Sequence, residues 1–255
     1  MTAALAISTA PETVHSEVPR ERVHVLESRP GVREVLLVTT ARARSANDQH
    51  AVILLSGGGG GFAVTCLNGV PCVQGGLPLS QRQRLANAIG GPVVALSPPT
   101  DQPVMNRNWR TSDRHVQDLH AAVTWTKSEW PYAQTWVLGL NQGALSAAVA
   151  TASIDNLAGA VLLSCAEEAL DQPQKSERMR VLAVRHHHDT DASYATLAHT
   201  RGRKTFVTVH DERAPHAQSV HGDAANRPHF AGKEYQVVDV VARWIVTGTA
   251  PDEIR

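Results

Sequence analysis

Trp136-Val137-Leu138-Gly139-Leu140-Asn141-Gln142-Gly143-Ala144 is the stretch from which the fold of this chain is read. An apolar, β-branched run enters a Gly-x-x-x-Gly turn, and an alanine-rich helical pattern leaves it, running from Gln142 to about Thr151. A strand and a helix joined this tightly pass so close that a side chain at Gly139 or Gly143 would collide with the partner element. The central residue of such a bend is strained, with φ above zero, and among non-glycine residues asparagine tolerates that state best. That central residue is Asn141. Its carboxamide offers two donor hydrogens and an acceptor oxygen, and it is not appreciably nucleophilic at neutral pH. Asn141 therefore either relieves strain or works as an orienting group for a substrate or a water.

Outward from this bend, strand and helix patterns alternate. Val23-His24-Val25-Leu26 and Val35-Leu36-Leu37-Val38-Thr39 flank a turn at Arg29-Pro30-Gly31 and read as an antiparallel hairpin. Ala51-Val52-Ile53-Leu54-Leu55 is apolar throughout, as in a strand buried on both faces of a parallel sheet. A helix is predicted from Leu79 to Ile89, stopped by Gly90-Gly91, and a strand from Pro92 to Leu96. Ser112 or Asp113 caps a helix reaching about Trp130, with Val116, Leu119, Val123 and Trp125 on or near its apolar side. Further strands fall at 157–164, 180–184 and 205–209, and an amphipathic helix at 233–246 closes the pattern. The fold class is α/β, with a mostly parallel central sheet flanked by helices. Residues 1–20 read as a frayed tail rather than a secretory signal, and 21–255 as a single domain.

Five consecutive glycines, Gly57 to Gly61, follow the doubly buried strand. Each costs backbone entropy on folding, so the loop needs open dihedrals or close backbone approach. No Gly-Lys-[Ser/Thr] follows, which excludes a nucleoside-triphosphate loop. Gly58, Gly60 and Ala63 match a dinucleotide spacing, yet Asn68-Gly69-Val70-Pro71 interrupts any helix, and no Asp or Glu occurs from Gln49 to Thr100 to bind a ribose. No cofactor is expected. Two readings remain: backbone N–H groups offered to a developing negative charge, or a flexible loop without function.

Downstream, the strand Val181-Leu182-Ala183-Val184 runs into Arg185-His186-His187-His188-Asp189-Thr190-Asp191, and Arg227-Pro228-His229-Phe230 precedes the closing helix. Glycine loop, bend, acid and histidine thus occur in a fixed order. In this the chain resembles the α/β-hydrolases, of the dienelactone-hydrolase and small-esterase type without a large lid, over nearly its whole length after about residue 22. The family's Gly-x-Ser-x-Gly motif has its serine position filled here by Asn141. The resemblance implies Asp189 as the acid (Asp191 in reserve) and His229 as the base, with His221 its rival. It implies Gln142 and the glycines around Gly58, Gly59 and Gly60 as oxyanion donors. In some relatives the motif reads His-Gly-Phe, which would set the histidine at Pro228. Ser146, more than a helical turn past the bend, reads as a helix residue and not as a displaced nucleophile. The histidine triplet has no metal-site spacing, and no metal is expected.

The totals narrow the remaining classes. With 24 basic and 24 acidic residues the net charge is zero, which makes nucleic acid or an anionic membrane a poor default partner. No apolar run has the length of a membrane span. Cys66, Cys72 and Cys165 are an odd set without a Cys-x-x-Cys pair, which suits reduced thiols and a cytoplasmic setting better than a disulfide scaffold. The partner expected is a small molecule. Two functions fit. One is non-covalent His–Asp acid/base chemistry on a small carbonyl or ester-type compound: a lyase, isomerase or atypical hydrolase. The other is a pseudoenzyme that binds a ligand or protein partner in the old site. An engineered inactivation of an ordinary esterase would leave the same sequence.

Overall fold

The turn at Pro30-Gly31 does form a hairpin. β1 (Glu21–Arg29) pairs antiparallel with β2 (Val32–Thr39), and Gly31 takes φ +74 between them. The computed structural model describes residues 21–41, 49–61, 63–67, 70–74, 79–165, 169, 175–176, 178–187, 203–210, 230 and 232–255. β3 (His50–Leu55) is buried at every position, as its unbroken apolar run requires. A second hairpin, β4 (Ala63–Leu67) with β5 (Val70–Gln74), forms a separate two-stranded sheet. Its register sets Cys66 opposite Pro71 and Cys72 opposite Thr65, so the two cysteines are not cross-strand partners. Cys165 is buried.

The remaining elements follow the alternation read from the sequence. They are α1 (Arg82–Ile89), entered by a tight turn at Leu79–Gln81; β6 (Val93–Leu96); α2 (Arg107–Arg110); α3 (Asp113–Glu129); and β7 (Gln134–Leu140). Then come α4 (Gln142–Ser153), β8 (Gly159–Leu163), β9 (Arg180–His186), β10 (Arg203–Val209), α5 (Glu234–Thr247) and β11 (Glu253–Ile254). Ser112 caps α3 by accepting the N–H of His115. No described helix is long and apolar enough to cross a membrane.

Nine strands make the main sheet, in the order β1-β2-β6-β3-β7-β8-β9-β10-β11. Only the β1–β2 and β2–β6 pairs are antiparallel; every pair from β6 to β11 is parallel. Side-chain alternation splits the interior into two layers. Ile53 and Leu55 join Leu36, Val137 and Leu162 on the face covered by α3 and α4. Val52 and Leu54 join Leu138, Val161 and Leu182 on the face covered by α1 and α5.

The chain leaves β3 toward β6 by way of α1, on one face, and leaves β7 toward β8 by way of α4, on the other. Neighbouring parallel strands whose connections depart to opposite faces leave a crevice between their carboxyl ends, the usual ligand position in open α/β sheets. Here that crevice lies between the ends of β3 and β7. The glycine loop follows β3 and Asn141 follows β7.

Candidate functional site

The bend after β7 is as tight as its glycines imply. A methyl group at Gly139 would lie 2.0 Å from the carbonyl oxygen of Gly143, and one at Gly143 would lie 2.1 Å from that of Leu55. One at Gly57 would lie 2.8 Å from the Leu140 oxygen and 3.6 Å from Asn141 Cβ. The end of β3, the start of the glycine loop and the bend are thus pressed together with no room for a Cβ.

Asn141 stands at the apex with φ 50 and ψ −115. Its backbone is pinned on both sides: the N–H donates to Leu163 O at 2.9 Å, and its carbonyl accepts from Ala144 N at 2.9 Å. The positive φ agrees with the sequence reading, but ψ corrects the strain-relief account. Asparagine is favoured in the left-handed region, where ψ is about +30 to +60°. At ψ −115 the apex demands a conformation that suits glycine and gives asparagine little relief. Asn141 is 6% exposed, its side-chain oxygen Oδ1 has no hydrogen-bond partner among the described residues, and it makes no capping bond to α4. A buried acceptor left unmade costs about 1–3 kcal/mol. Neither backbone comfort nor helix capping accounts for asparagine here.

Across the crevice, the glycine loop has a defined shape. Gly58 and Gly60 take φ +52 and +84. Gly60 N–H donates to Gly57 O at 2.9 Å, and Gly59 O accepts from Met105 N at 2.8 Å. Gly58 and Gly59 are exposed while Gly60 is buried. Of the three glycines singled out from the sequence, Gly60 therefore spends its N–H within the loop. Gln142, half-buried, opens α4, where first-turn N–H groups have no acceptor inside the helix.

A cluster that sequence reasoning missed lies under the loop. The Arg110 guanidinium donates through Nη2 to Ser56 O (3.1 Å) and Gly58 O (2.9 Å), and through Nη1 to Ser146 Oγ (2.8 Å). Ser146 Oγ also shares a hydrogen bond with His115 Nε2 at 2.9 Å. Arg110 and Ser146 are fully buried and His115 nearly so. Burial, aided by the neighbouring Arg110 and Arg29 charges, pushes the His115 imidazole down to about 3, so it is neutral at any ordinary pH. Ser146 resembles a nucleophile in having a histidine partner, yet its hydroxyl is sealed in the core, where no substrate carbonyl reaches it. One signal was legible: His115 and Asp118 occupy buried positions of α3 beside Leu119, Ala122 and Thr126, so polar residues sit on the core stripe.

Asp189 and His229 lie outside the described residues, as do Asp191, His188, His221 and Pro228. Their described neighbours are β9, whose strand ends at His186, and Phe230, which is fully buried at φ 38 and accepts Lys233 N–H at 2.8 Å just ahead of α5. His186 is buried, with its ring centroid 4.6 Å from that of His187, which stacks on His210 at 5.1 Å. Among the described residues no group of His, Cys, Asp and Glu has the arrangement of a metal site.

This architecture recurs in solved structures of serine hydrolases. The chain superposes on the acylaminoacyl peptidase of Pyrococcus horikoshii with a TM-score of 0.57 at 11% identity, covering 88% of this chain and 41% of that one. An alpha-beta serine hydrolase homologue from Coxiella burnetii gives 0.56 at 13% identity over 89% of this chain and 99% of that one. Est1E from Butyrivibrio proteoclasticus gives 0.56 at 13% over 88% and 97%. The chain thus spans about two fifths of the peptidase and nearly all of the other two. No protein-family model matches the sequence, and no curated protein matches it either. At these identities the likeness establishes the α/β-hydrolase fold.

Proposed function

We propose that this chain acts on a small carbonyl or ester-type compound by non-covalent acid/base chemistry, as a lyase, isomerase or atypical hydrolase. In this reading Asn141 stands at the nucleophile position of the fold and holds the substrate or a water by its carboxamide. Backbone N–H groups at Gly58, Gly59 and Gln142 face the oxygen on which charge develops, with Gly60 shaping the turn. Asp189 orients His229, which moves the proton. The observation that carries the reading is the Asn141 side chain: a buried amide oxygen, unpartnered among the described residues, on a strained backbone at the crevice where ligands bind in this architecture. Strain and an unmet acceptor persist where a ligand repays them.

Two measurements test it. Asn141→Gly removes both the strain and the orphan oxygen, so it is expected to raise stability by about 1–2 kcal/mol in urea unfolding. A loss of stability would mean that the side chain serves the fold. Asn141→Ser places a hydroxyl where the proposed base can activate it, and the variant is expected to hydrolyse p-nitrophenyl acetate. Adding His229→Ala should lower that rate by about 100-fold or more. Ester hydrolysis absent from Asn141→Ser, or indifferent to His229, overturns the assignment. A ligand that stabilises the wild-type chain without being turned over would give the same site to binding alone.

A further inference from the structure

A guanidinium without a carboxylate lies beneath the glycine loop. Arg110 ends the short helix α2, is 0% exposed, and makes no ion pair among the described residues. Its Nε has no hydrogen-bond partner. Burial pushes the group down to about 10, which leaves it charged at neutral pH. A cation kept in the interior without a counter-charge is expensive, and an apolar side chain of similar length would fill the space at lower cost. The position therefore answers to something other than packing.

What Arg110 touches supplies the reason. In a trans peptide the C=O and the following N–H point in opposite directions. Arg110 holds the carbonyls of Ser56 and Gly58 from below, so the N–H groups of Gly57 and Gly59 are turned away from it, toward the exposed side of the loop. Two further bonds keep the turn closed, Met105 N–H to Gly59 O and Gly60 N–H to Gly57 O. Gly60 settles onto the guanidinium so closely that a methyl there would lie 3.2 Å from Arg110 Nη2.

We propose that Arg110 is a positioning residue that sets the glycine loop as a ground-state receptor for an anionic oxygen, the carboxylate of a carbonyl compound. It fixes the Gly57 and Gly59 N–H groups outward and lends the loop its positive charge. The inference rests on the reading of the loop as an anion cradle, brings Gly57 N–H in beside Gly59 as a donor, and adds two things: the ligand carries negative charge before any reaction, and the charge that attracts it comes from the core.

The test uses the full chain with 15N-labelled glycine and two variants, Arg110→Met and Ser146→Ala. The first measurement, without ligand, is the rigidity of the Gly57 and Gly59 N–H vectors by NMR relaxation. They are expected to be rigid in the wild type and in Ser146→Ala, which loses a different contact of the same guanidinium, and loosened in Arg110→Met while other glycines stay put. Equal rigidity in Arg110→Met overturns the positioning role. The second is titration with methylphosphonate. Gly57 and Gly59 should shift saturably in the wild type, and about tenfold or more weakly in Arg110→Met. Wild-type amides that are rigid but indifferent to the phosphonate overturn the anion-cradle reading, while the first measurement still judges the role of Arg110. Should Arg110→Met fail to fold, Arg110→Gln, which keeps a donor but no charge, takes its place in both arms.

Discussion

Gly143→Ala should destabilise the protein by about 4 kcal/mol, a fall of roughly 10 °C in melting temperature for a chain of this size. The added methyl would meet the oxygens of Leu55 and Ser56 at 2.1 and 2.7 Å, and the Leu55 carbonyl carbon at 2.8 Å. These are backbone atoms at the end of β3, a strand buried at every position, so no side-chain rotation absorbs the clash. α4 must move away from β3, and the packing of Ala144, Ala147 and Ala148 against the sheet loosens with it. Gly139→Ala meets Gly143 O at 2.0 Å and should behave alike. Gly61→Ala is the control: nothing lies within 4 Å of its added carbon and its φ is not positive, so it should be neutral or slightly stabilising. Urea unfolding of the three variants decides the matter; a Gly143→Ala protein as stable as Gly61→Ala would mean that the bend does not hold β3 and α4 in contact.

The same contacts explain what could be read from the sequence. Steric constraints are local, and they were legible: Gly139 and Gly143 on either side of Asn141 announced the close approach, and the unbroken Ala51–Leu55 run announced a strand covered on both faces. The β4–β5 hairpin went unread although Asn68-Gly69 between two β-branched runs is a strong hairpin signal; Asn68-Gly69-Val70-Pro71 entered the sequence reading only as a stop to any helix. The value of ψ at Asn141 was out of reach, because it is set where the chain turns into α4, with the Asn141 carbonyl accepting Ala144 N–H. Arg110 was out of reach for a similar reason. Its partners come from the loop after β3 and from α4, and an arginine after Asn-Trp on a short helix carries no mark of where its head will lie.

Glu34 gives the second large effect, expected as a pH dependence. It sits in β2 at 2% exposure, with Oε2 unpartnered among the described residues. The nearby Arg29 cannot neutralise it, because its guanidinium is already held by Asp118 at 2.7 Å and by Asp101 at 2.9 Å. Burial first, then repulsion by Asp118, push the Glu34 carboxyl from 4.5 up to about 8; Arg29 offsets part of this and Asp101 adds to it. Below about pH 4.5 the folded and unfolded chains both hold the proton. Between 4.5 and about 8 only the folded chain holds it, so stability falls as pH rises, by up to about 1.4 kcal/mol per unit. Above 8 the carboxylate is charged in both states and the stabilising contribution is gone. Glu34→Gln keeps the shape of the protonated form without the titration. Relative to the wild type it should be nearly neutral at pH 5 and more stable by about 3–5 kcal/mol at pH 9, with the other ionisable groups cancelling in the comparison. Urea unfolding of both proteins across that range supplies the measurement, and parallel curves would place a charged Glu34 in the folded state throughout.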